Sequence, residues 1–143
     1  MLNIEQIKEL LPHREPFLMI DRVDEVIPGQ YAEARKAVSA NEWYFQGHFG
    51  EYKVMPGVLM LEAIAQAGAV AYLSNPENRG KLLFFGGVKK ARFRRQVRPG
   101  DMLVIRSTLD KVVSIAGFGH GEIYVDGELA VDCELTFAIQ EQP

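Results

Sequence analysis

The sequence predicts one α+β domain over residues 1–143, an antiparallel sheet of six strands curled around a single long helix. Three observations predict it. From Gly57 to Leu73 the chain reads GVLMLEAIAQAGAVAYL, apolar all round, which is how a helix enclosed by protein reads. Near the end, Leu129, Val131, Cys133, Leu135, Phe137 and Ile139 alternate with Ala130, Asp132, Glu134, Thr136 and Gln140, the period of a half-buried strand. Turn signals at Pro28-Gly29, Pro99-Gly100-Asp101 and Asp126-Gly127 separate stretches of strand length. A long sheet that must cover one helix twists and closes over it.

Each element has its own justification. Apolar residues at 4, 7, 10 and 11 predict a short amphipathic helix, capped by Asn3 and stopped by Pro12. Phe17–Ile27 is a strand candidate, and residues 30–38 return from the Pro28-Gly29 turn as the next. In that second strand Ala32, Ala34, Lys36 and Val38 share one face. Asn41–Gln46 has room for a helical turn. Pro56-Gly57 starts the long helix, since proline's fixed φ suits that position. A polar loop, residues 74–80, then leads to a strand over 81–87, and 102–113, 114–125 and the final alternating segment complete a four-strand meander. Ala116, Gly117, Gly119 and Gly121 on one strand and the alanines of the helix permit close approach of sheet and helix.

Composition narrows the class. At 48% hydrophobic and 24% charged, the chain is ordinary for a soluble globular domain, and its net charge of −3 argues against a generic nucleic-acid binder. No apolar run approaches the roughly 20 uncharged residues of a membrane span. The first residues carry no secretory signature, and the single cysteine, Cys133, leaves no internal disulfide and no cysteine-based metal cluster. A cytoplasmic protein without metal is expected, with Cys133 in the core.

Within the long helix only Glu62 and Gln66 are fully polar, and their i, i+4 spacing puts them on one face. A carboxylate there is costly unless something uses or satisfies it. His48 lies upstream on a glycine-flanked loop, GHFG. The two could meet in one chain or across a two-fold interface, and spacing does not decide. His13 and His120 are expected to be structural.

LPHR at 11–14, PFLMIDRV at 16–23, GHF at 47–49, VMPGVLMLEAIAQ at 54–66, KARFRRQVRPGD at 90–101 and ELTFAI at 134–139 together resemble 3-hydroxyacyl-[acyl-carrier-protein] dehydratases of the FabZ type, in order along nearly the whole chain. The resemblance implies a hot-dog fold, pairing into a homodimer, and assembly as a trimer of dimers. It implies dehydration of (3R)-3-hydroxyacyl thioesters on acyl carrier protein to trans-2-enoyl thioesters. By position it puts the catalytic histidine at His48 and the carboxylate at Glu62, contributed by opposite subunits. The FabA branch usually has aspartate there, so Glu62 favours the simple dehydratase. Gly50 and Lys53 replace prolines common in the family's loop, which should be less rigid here, and Lys89 replaces a common aspartate.

The implied chemistry needs a base, an acid and a donor for carbonyl charge. His48, neutral near pH 7, suits the base. Glu62 can protonate the hydroxyl only with a raised pKa, which its apolar helix promotes. The helix start offers free N–H groups, Gly57 first and Val58 second, for the carbonyl oxygen. Gln66 can orient the carboxyl. Phe84, with Phe85, resembles an aromatic gate on the acyl tunnel, against plain core packing. Lys89, Lys90, Arg92, Arg94, Arg95 and Arg98 form a cationic cluster suited to the acidic carrier protein and its phosphopantetheine arm, the alternative being a solvated strand face. No further cofactor is expected. The rival functions are a hot-dog thioesterase and a non-catalytic acyl-thioester sensor.

Overall fold

Asn3 opens the first helix, α1 (Ile4–Leu10), with a reciprocal cap: its side chain accepts the Gln6 N–H while the Gln6 side chain accepts the Asn3 N–H. The structure, a computed structural model, describes every residue from Met1 to Pro143. The strands are β1 (Arg22–Ile27), β2 (Tyr31–Ala37), β3 (Leu82–Phe93), β4 (Met102–Val113), β5 (Ala116–Val125) and β6 (Glu128–Gln140), and the long helix is α2 (Gly57–Leu73). A single 3₁₀ turn, Trp43–Phe45, precedes the His48 loop.

All neighbouring strands are antiparallel, in the order β1-β2-β4-β5-β6-β3. The meander therefore has three strands, not four. β3 does not join β4; it runs along the far edge beside β6, and residues 94–101 carry the chain back across the sheet. Val97 is fully buried on that return and its carbonyl accepts the Met55 N–H at 2.8 Å, tying the crossing to the start of α2.

Register explains the core. Ala34, Ile105, Ile123 and Val131 stand opposite one another across four strands, and none is accessible to solvent. Beneath them α2 buries Ala63, Ile64, Ala67, Val70 and Ala71 completely. The close approach comes from Gly121: a Cβ there would lie 2.3 Å from Ile64 Cγ2. The β5–β6 hairpin turns on Asp126 (φ 51) and Gly127 (φ 78), both left-handed as a tight hairpin requires.

Two further expectations need correction. The first strand is shorter than the apolar run Phe17–Ile27, because Met19 N–H and Phe17 C=O bond to the Gln66 side chain instead of a neighbouring strand. Conversely, β3 runs on past Gly87 to Phe93, its pairing to β6 interrupted by two irregularities. The final strand matches its predicted alternation, with Val131, Cys133, Leu135, Phe137 and Ile139 buried.

α2 is enclosed only in part. Its C-terminal half is buried all round, whereas at its start Val58 is 71% exposed, and Leu59, Leu61, Glu62 and Ala65 are only partly covered. No helix is long and apolar enough to cross a membrane.

Candidate active site

A slot of about 300 Å³ runs along the incompletely covered face of α2. Glu62, Ala65, Gln66, Ala69 and Leu73 line it from the helix, a stripe at the i, i+3/i+4 repeat. The segment after α1 supplies Leu11, His13 and Phe17, and β3 supplies Leu83, Phe84 and Phe85. The walls are largely apolar, the texture of a site for a greasy ligand.

Glu62 sits where that slot is polar. Burial raises its pKa above the ordinary carboxylate range, opposed by the hydrogen bond from Gln66. Gln66 is itself 1% exposed and uses its whole amide: Nε2 donates to Glu62 Oε2 (2.9 Å) and to the Phe17 carbonyl (3.0 Å), while Oε1 accepts the Met19 N–H (2.7 Å). The carboxyl is thereby fixed to the N-terminal segment as well as to its own helix. A carboxylic acid held neutral in such a place can donate a proton.

His48 stands apart from this slot. Its ring is partly buried, and Nδ1 lies 2.8 Å from the Val54 carbonyl. A carbonyl accepts only, so Nδ1 is the donor in this contact, which leaves Nε2 as the nitrogen free of a partner within the chain. His48 forms no hydrogen bond or ion pair with Glu62 in the protomer and does not line the slot. The protomer brings Glu62 to Gln66 and leaves His48 elsewhere.

The His48 loop, expected to be less rigid with Gly50 and Lys53 in place of prolines, has ties of its own. Tyr52 Oη donates to Gln96 Oε1 (2.7 Å), Lys53 Nζ to the Ala40 carbonyl (2.8 Å) and Arg98 Nε to the Lys53 carbonyl (3.2 Å). Gly50 has φ +60, a conformation closed to proline. At the start of α2, Pro56 provides no side-chain cap, so the first N–H groups of the helix, those of Gly57 and Val58 among them, have no such acceptor. The absent Cβ of Gly57 makes room for Phe93, whose Cε1 would lie 2.6 Å from it. A side chain at this position would have to displace the Phe93 ring of β3.

The structure also sorts the cationic cluster. Lys90 pairs with Glu134 (3.2 Å), Arg94 with Asp132 (2.9 Å) and Arg95 with Glu128 (2.9 Å) and Asp101 (3.4 Å). Lys89, Arg92 and Arg98 have no carboxylate partner, so only half the cluster presents uncompensated charge. Phe84 and Phe85 line the slot yet remain 49% and 44% exposed on the edge strand. His120 pairs with Asp110 (2.8 Å) on the outer face of the sheet, and Cys133 is buried.

One residue beside Glu62 was not expected there. His13, read as structural, places Nε2 3.6 Å from Glu62 Oε2. The available signal was local: a histidine-arginine pair between Pro12 and Pro16, leading into an apolar run that buries Leu18, Met19 and Ile20.

A sheet curled over one helix, with a carboxyl of raised pKa in an apolar slot along that helix, defines a hot-dog protein. The model of the FabA-like domain matches residues 11–134. Over 142 residues the chain is 55% identical to the 3-hydroxyacyl-[acyl-carrier-protein] dehydratase FabZ of Bacillus cytotoxicus, covering 99% of both chains. It is 53% identical over 141 residues to the FabZ of Staphylococcus aureus strain JH9, covering 99% of this chain and 97% of that one. The dehydratase heterocomplex ApeI:P from Xenorhabdus doucetiae contains a chain of the same fold, with TM-score 0.81 and 21% identity over 95% of this chain and 91% of that one. The chain belongs to the FabA-like family, and its near relatives carry the FabZ name.

Proposed function

We propose that this protein removes water from (3R)-3-hydroxyacyl thioesters on acyl carrier protein, giving trans-2-enoyl thioesters for fatty-acid elongation. The observation that carries the reading is a carboxyl group whose pKa is raised by burial and which is clamped by Gln66 in an apolar slot, in a chain near-collinear with FabZ relatives. His48 Nε2 takes a proton from the carbon next to the thioester carbonyl. Glu62 gives its proton to the 3-hydroxyl as the carbon–oxygen bond breaks, and the electron pair forms the new double bond. Backbone N–H groups of Gly57 and Val58 donate hydrogen bonds to the carbonyl oxygen as negative charge grows on it. The thiol ester stays intact, so nothing is transferred to the protein except the proton.

In this reading His48 of one copy serves Glu62 of another. Two facts support it: the separation of His48 from the slot in the protomer, and the open edge of β3, where Phe84, Phe85, Val88 and Phe93 are all exposed. An exposed, long, apolar edge strand is a template for a second chain. Lys89, Arg92 and Arg98, the unpaired cations, are the docking points for the acidic carrier protein, with Lys90, Arg94 and Arg95 framing them. Assembly as a trimer of dimers and a cytoplasmic location rest on the resemblance to the family.

The test is direct. Incubated with (3R)-3-hydroxybutyryl carrier protein, the protein yields the enoyl thioester without releasing free thiol. Free thiol without enoyl product identifies a thioesterase, and binding without turnover identifies a sensor; either outcome overturns the reading.

A further inference from the structure

The two oxygens of Glu62 differ. Oε2 receives Gln66 Nε2 at 2.9 Å and faces His13 Nε2 at 3.6 Å, whereas no donor of the chain binds Oε1. His13 is held for that approach from both sides. Arg14 donates to the carbonyls of Leu11 (2.8 Å), His13 (2.7 Å) and Lys8 (3.0 Å), fixing the backbone, and the imidazole stacks on Phe17 with centroids 6.0 Å apart. Burial, and secondarily the charge of Arg14, lower its pKa, so the ring is neutral and owns one N–H. Its Nδ1 is buried without any partner. A buried orphan N–H is rarer and costlier than an orphan acceptor, so the proton belongs on Nε2, pointing at Glu62.

We propose that His13 is a positioning residue for dehydration: its Nε2–H is aimed at Glu62 Oε2 and closes on that oxygen as the carboxyl gives up its proton through Oε1. The inference rests on the dehydratase reading. No proton leaves His13; the bond to the hydrogen of Glu62 breaks, water departs with it, and the new carboxylate is held by two donors in place of one. A hydrogen bond to an anion is roughly twice as strong as a neutral one. The contact therefore strengthens as charge appears and contributes to kcat more than to substrate binding. The groups that face the pair are few. Arg14 lies behind His13, Lys81 of the segment entering β3 lines the same slot, and the remaining walls from β4 and β6 are Leu109, Leu135 and Phe137. In the proposed dimer the second copy's His48 joins them.

His13→Phe preserves the ring and its stacking but removes the donor. It should lower kcat about 10- to 100-fold with little change in KM. It should also move the alkaline limb of the pH–rate profile to higher pH, because a carboxylate short of one donor holds its proton more tightly. His13→Gln, whose amide N–H reaches about as far as Nε2, should recover most of kcat and return the limb. Full activity of His13→Phe with an unmoved limb overturns the proposal, as does equal impairment of both variants with raised KM. If His13→Phe does not fold, His13→Ala serves instead: rescue by imidazole and not by toluene supports the donor role, and rescue by both or neither rejects it. A wild-type protein that forms no enoyl product defeats the dehydratase reading itself.

Discussion

Gln66 is spent in full: three hydrogen bonds, two elements and no contact with water to speak of. That side chain decides where Glu62 points, and the helix decides what it costs. Because burial raises the folded-state pKa of Glu62, its favourable share of stability is complete below the usual carboxylate range and is lost as pH rises through the raised value. Glu62→Gln keeps an oxygen for Gln66 and removes the titration. Its melting temperature should match the wild type in acid and exceed it at alkaline pH, by calorimetry, while dehydration falls at least about 100-fold. Greater stability with lost activity is the mark of a group kept for chemistry. Glu62 and Gln66 were legible as a pair because one helical turn separates them. His13 was not, since its contact with Glu62 depends on a segment folding back across forty-nine positions of chain.

At the scale of elements, α2 is both core and wall. One face meets the sheet so closely that Gly121 has no room for a methyl group: an added Cβ falls 2.3 Å from Ile64 Cγ2 and 2.8 Å from the Arg106 carbonyl. Gly121→Ala should destabilise by about 1–3 kcal/mol in urea unfolding, from overpacking against a backbone that cannot yield. The opposite face, from Glu62 through Ala65 and Ala69 to Leu73, spans about 16 Å at the rise of a helix. The alternation of β6 and the signals for the hairpin turns and for the start of α2 were readable because period and turn chemistry are local. The run at Phe17–Ile20 misled for a physical reason. It is as apolar as a strand and as buried, but its hydrogen-bonding partner is a side-chain amide from the helix. The position of β3 was equally hidden, because no local pattern says which neighbour an edge strand takes.

For the whole molecule, the open edge of β3 and the stranded His48 make one argument. If each site draws its histidine from one copy and its acid from another, co-refolding His48→Ala with Glu62→Ala in equal amounts should restore roughly a quarter of the wild-type sites, as random two-fold pairing requires. Mixed dimers, verified by mass, that show no turnover would place both groups in a single chain. The charge pattern has the same long-range character. Six cations in one stretch looked uniform, but the carboxylates that neutralise Lys90, Arg94 and Arg95 come largely from β6 and its turn, a segment whose pairing with β3 no spacing reveals. The Gln66 amide has a further consequence. It bonds the carbonyl of Phe17, the N–H of Met19 and the Glu62 carboxyl at once, so the slot wall and the carboxyl share one restraint, and losing that amide would loosen both together.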